Sequence, residues 1–72
     1  MFTYNVFLSN LRSAVDASGM KHKHVAKSVG MEPQEFSNVL NGRKIVRAED
    51  VPKFCNVLHI EPNYLFSDAV RQ

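Results

Sequence analysis

The sequence predicts an all-α fold: five short helices packed as one domain over residues 1–72. Three observations predict it. Apolar residues recur at three- and four-residue steps in five separate stretches, the period of one helix face. Glycine, proline and capping residues fall between those stretches, and no stretch alternates in the manner of a strand. Finally, 72 residues leave room for one core only, and a chain of this size buries just roughly 60% of its unfolded surface. With a single cysteine, Cys55, no intrachain disulfide braces the fold, so the core rests on packing, with association between copies as a further support.

The first helix carries Tyr4, Phe7, Leu8, Leu11 and Val15 along one face and ends at Ser18-Gly19, where glycine is free to take a left-handed cap. The second runs from His22 to Val29, turns Val25, Ala26 and Val29 inward, and is closed by Gly30. Glu32-Pro33 opens the third, because proline at the first helical position gives up an N–H that has no partner there. Phe36, Val39 and Leu40 face its core side, and Asn41-Gly42 stops it. A fourth helix holds Val51, Phe54, Cys55 and Leu58, with Asp50 expected as its cap and Ala48-Glu49 as a lead-in. The fifth begins near Glu61-Pro62 and packs Leu65 and Phe66, with Ile60 as an anchor ahead of it.

Composition narrows the function. The apolar runs are far too short to span a bilayer, and a lone thiol with no signal-like N-terminus points to a reducing, cytoplasmic setting. Net charge is only +2, but six of the nine Lys and Arg residues lie between positions 21 and 47, where the acidic residues are Glu32 and Glu35. Such a segment fits either a nucleic-acid contact or a solvated face. His22 and His24 project about 200° apart on a helix and do not chelate one ion from one face, so no metal is expected. Cys55 falls on an apolar stripe and reads as core. No nucleophile, base and orienting group share a recognisable spacing, so neither an enzyme nor a cofactor is expected.

The informative segment is His22–Val39, two short helices joined around Gly30. Ala26 is small enough for the two to approach closely, Gly30 suits a turn of positive φ, and Phe36 fills the angle between them. With one helix before and two after, the chain from about Val6 to Phe66 resembles the phage repressor and Cro family of helix-turn-helix domains, often called the XRE family. The resemblance is carried by Leu11-Arg12, Gly19-Met20, Val25-Ala26, Val29-Gly30-Met31, Phe36-Ser37, Val39, Asn41-Gly42, Leu58, Ile60 and Leu65-Phe66. It implies a lambda-repressor-like five-helix bundle and a sequence-specific transcriptional regulator of double-stranded DNA, with the third helix in the major groove.

Base contacts are expected from Gln34, Glu35, Ser37 and Asn38, opposite or beside the core face of that helix. Gln34 and Asn38 are four apart, share one face, and carry amides of the type that pair with adenine. Phosphate contacts are expected from Lys21, His22 and Lys23 at the start of the second helix, where free N–H groups also favour an anion, and from Arg43, Lys44 and Arg47 after the third. Val15 and Leu40 stand where many relatives pair arginine with glutamate, an exchange of a buried ion pair for an apolar one. His59 stands where the family commonly places glycine, and histidine enters the left-handed region more readily than most residues. A homodimer on its operator is the expected assembly, through Tyr64, Phe66 and Val70 if these do not instead finish the core. Two rivals remain open: a protein-interaction module on the same fold, which the acidic third helix would suit, and a DNA-binding antitoxin with a protein partner.

Overall fold

Thr3 starts the first helix by accepting a hydrogen bond from the Val6 N–H on its side-chain oxygen at 3.3 Å. The computed structural model describes residues 1–68, and in it α1 spans Tyr4–Ser18, α2 His22–Ser28, α3 Pro33–Leu40, α4 Val51–Leu58 and α5 Pro62–Phe66. The face predicted for α1 is the buried one: Phe7, Leu8, Leu11, Ala14 and Val15 are in the core, with Tyr4 packed at its edge. No helix among the described residues is long and apolar enough to cross a membrane.

Around α1 the other helices close one core. Val25, Ala26 and Val29 from α2 and its end meet Phe36 and Val39 from α3, and Phe54, Leu58 and Leu65 seal the far side. Phe36 and Phe54 stack obliquely with ring centroids 5.9 Å apart, which ties α3 to α4. Cys55 is buried here, and loss of water pushes its thiol above the usual value, as befits a packing residue. The α4 terminus is left-handed at His59 (φ 56°, ψ 46°), and the Ile60 N–H bonds back to the Cys55 carbonyl at 3.1 Å. One polar side chain locks α1 to α5. Asn10, 3% exposed, donates from Nδ2 to the carbonyls of Leu65 (2.9 Å) and Ser67 (2.8 Å), so the end of the short fifth helix has bonded acceptors.

Two expectations are corrected. Asp50 does precede α4, and Ala48–Asp50 forms a single tight 3₁₀ turn leading in, but the Asp50 carboxylate caps nothing. Because Asp50 itself has helical dihedrals, its side chain is carried to Arg47 Nε (3.4 Å) and Lys53 Nζ (3.9 Å) instead. Phe66 is not a core residue: it is 51% exposed, while its neighbour Leu65 is fully buried. The Phe66 ring lies over Phe7 (5.4 Å) and against Phe2 (5.8 Å). These rings border an apolar groove of about 550 Å³ whose other walls include Tyr4, Ile45, Val46 and Pro52. Of the residues expected to face a second copy, Val70 lies outside the described residues.

Candidate nucleic-acid interface

The junction between α2 and α3 is built from backbone geometry that only part of the sequence permits. Gly30 adopts φ +82°, and the Met31 N–H then bonds to the Ala26 carbonyl at 2.8 Å, closing the end of α2. A side chain at position 30 would meet no neighbour, so the constraint is the left-handed backbone itself rather than space. Ala26 is fully buried against α3, and Phe36, 1% exposed, fills the angle between the two helices. The far end of α3 is held from α1: Arg12 donates from Nε to the Leu40 carbonyl at 2.7 Å and bonds the same oxygen from Nη2. Beneath it Val15 and Leu40 are both buried, as expected of an apolar pair.

With its core side fixed, α3 turns a continuous polar face outward. Gln34 is exposed and donates from Nε2 to Asn38 Oδ1 at 3.3 Å, while Ser37 and Asn38 are half-buried. Asn41, one turn beyond, donates to Ser37 Oγ at 3.4 Å and extends the face. An exposed helix bearing a row of amides, set on a partner helix by a tight left-handed turn, is a helix-turn-helix geometry. Residues 7–63 match the family model described as a helix-turn-helix domain. The chain belongs to the helix-turn-helix domain family. Its structure is similar to the solution structure of the SOS-response transcriptional repressor LexA from Eubacterium rectale, with a TM-score of 0.78 at 27% identity. That likeness covers 94% of this chain and 76% of the other. A comparison with curated proteins finds no match. The repressor-and-Cro type of domain implied by the resemblance is the type these findings support.

Around the helix-turn-helix the basic residues divide into two groups. Lys21, Lys23, Lys27 and Arg43 are exposed and form no ion pair among the described residues. Lys23 and Lys27 border a shallow hollow with Glu32 and Pro33, which places them beside the start of α3. His22 sits by the other end of α3, in a recess with Arg12, Leu40 and Asn41, its ring edge-on to Phe36 at 5.8 Å. Lys44 and Arg47, by contrast, are engaged. Arg47 pairs with Glu49 (3.4 Å) and Asp50 (3.4 Å). Lys44 Nζ lies 2.5 Å from Glu35 Oε2, and this hydrogen bond holds the Glu35 carboxyl below its usual value, with the Arg47 charge adding to the effect. Two residues expected to act separately on DNA, Glu35 and Lys44, are thus joined.

Sequence reasoning missed three contributors. Asn41 ends α3 and belongs to the family pattern, and it also stands three and four residues after Asn38 and Ser37, on their face. Arg12 belongs to the family pattern, and its signal is that of a cation able to reach the last carbonyls of a helix. Asn10 gave no local signal at all, since its partners are 55 and 57 residues away.

Proposed function

We propose that the protein is a sequence-specific, double-stranded-DNA-binding transcriptional regulator of the phage repressor and Cro kind, which lays α3 in the major groove of an operator in the cytoplasm. The observation that carries this reading is the outward row Gln34, Ser37, Asn38 and Asn41, flanked by cations that have no ion-pair partner among the described residues. A B-form major groove is wide enough to admit one helix, and amides there bond bidentately to adenine. Lys21, His22 and Lys23 at the start of α2, and Arg43 after α3, supply the phosphate contacts that fix register without reading sequence. The relative named as a transcriptional repressor points the same way. A protein partner is the weaker reading, because its main support was an acidic α3 and Lys44 matches the Glu35 charge.

Binding to a labelled duplex as salt is raised tests the phosphate bracket. The logarithm of affinity should fall linearly with the logarithm of salt, and Lys23→Ala/Arg43→Ala should reduce that slope by about two. A slope unchanged by the double variant would remove both residues from the interface; no binding at low salt would remove the DNA reading.

The same reading includes a homodimer, with a second copy seated on the apolar groove. Two identical faces meet about a two-fold axis only if each offers both the recess and what fills it. Here the groove lies beside exposed Phe2, Ile45 (69%) and Phe66 (51%). Sedimentation equilibrium should give a dimer that Phe66→Lys converts to monomer; a wild-type monomer at every concentration would contradict it.

A further inference from the structure

The Glu35–Lys44 pair stands at the edge of the α3 polar face, and its placement is fixed from both sides. Glu35 is in the first turn of α3, about 60° around the helix from Asn38 on the side away from Ser37. Lys44 arrives from the loop after α3, where the N–H groups of Arg43 and Lys44 both bond to the Asn38 carbonyl, at 2.9 and 3.2 Å. The loop backbone is therefore anchored to the reading helix itself, and the lysine reaches back along it to Glu35. Both side chains keep a solvent-facing part, 27% for Glu35 and 45% for Lys44.

A lone carboxylate on such a face would be repelled by phosphate charge. Matched by an ammonium at 2.5 Å, it presents an acceptor and a donor side by side. A carboxylate has about four acceptor positions and an ammonium three donors, so one bond between them leaves both with capacity facing outward. In the major groove, cytosine offers its N4 amino group as donor, and guanine across the pair offers O6 and N7 as acceptors. The geometry points to Glu35 and Lys44 as one composite reader that specifies a G·C base pair, Glu35 accepting from cytosine N4 and Lys44 donating to guanine. This rests on α3 being the groove-facing helix. It assigns Lys44 to a base pair rather than to a phosphate.

Selection of operators from a random duplex library, run in parallel with wild type, Glu35→Gln and Lys44→Met, tests it. Wild type should enrich one half-site position as G·C. Glu35→Gln should lose discrimination at that position by about tenfold or more and leave the rest of the operator unchanged. Lys44→Met should weaken binding to every duplex by exposing an unmatched carboxylate, and Glu35→Gln/Lys44→Met should restore that general affinity without the G·C preference. Because both side chains are at the surface, unchanged melting of each variant verifies that folding is not what is read. An operator enriched by wild type and selected identically by Glu35→Gln would overturn the composite reader while leaving the DNA-binding reading intact. Enrichment of no sequence by wild type would overturn both.

Discussion

Phe36→Ala is expected to destabilise the domain by about 3–5 kcal/mol, the usual cost of deleting a buried aromatic ring. Phe36 is 1% exposed and joins three elements: it fills the α2–α3 angle, lies against Phe54 of α4 at 5.9 Å, and supports the His22 ring at 5.8 Å. Removing the ring leaves a cavity that helices held by Gly30 and by Arg12 cannot readily collapse. At roughly 0.05–0.15 kcal/mol per residue, a chain of this length has about 4–11 kcal/mol in total, so the loss takes a large share of it. Thermal unfolding followed by helical circular dichroism should show a melting point lowered by more than about 10 °C, since each kcal/mol moves a domain of this size by about 4–8 °C. A shift of only a few degrees would mean that Phe36 is not the joint of the motif. Duplex binding should fail together with folding, which separates this variant from those on the polar face.

Gln34→Ala/Asn38→Ala should do the reverse, leaving the fold intact and sharply weakening recognition. Gln34 is exposed and Asn38 only half-buried, and their mutual hydrogen bond at 3.3 Å is a surface contact whose loss costs little. That same bond aligns the two amides before DNA arrives: Gln34 donates to Asn38, which leaves the Gln34 carbonyl and the Asn38 amino group directed to other partners. Each good amide–base contact carries about 1–3 kcal/mol of discrimination. The double variant should therefore lose specific affinity by roughly 30-fold to 10⁴-fold, taking 1.4 kcal/mol as tenfold, while its salt-dependent binding to arbitrary duplex persists.

Much of this architecture was legible because it is local. The α1 stripe from Phe7 to Val15, the wedge of Ala26, Gly30 and Phe36, and the prolines opening α3 and α5 are each set by residues a few positions apart. His59 at φ 56° fills a left-handed cap for the same reason. What escaped depends on where distant segments meet. No periodicity shows that Asn10 would bond the end of α5, or that Arg12 would cap α3. Asp50 has the composition of a cap, but the 3₁₀ turn that it ends keeps its backbone helical and carries its carboxylate to Arg47 and Lys53. Phe66 follows the helical spacing, yet a helix as short as α5 buries a single position, Leu65, and leaves its neighbour outside. At the candidate site the polar face was legible from spacing, whereas the sorting of cations into paired and unpaired was not. Lys44 and Glu35 are nine residues apart, and only the turn at Asn41-Gly42 brings them together.

The central claim is that the polar face of α3 reads base pairs. Its most direct test is the ratio of affinities for a selected operator and a scrambled duplex of equal length, measured at one salt concentration for wild type and Gln34→Ala/Asn38→Ala. A specific regulator should give a wild-type ratio of about 10³ or more. The double variant should lower that ratio by roughly 30-fold or more by weakening operator binding alone, with affinity for the scrambled duplex unchanged. A wild-type ratio near one, or a high ratio that survives loss of both amides, would contradict the account.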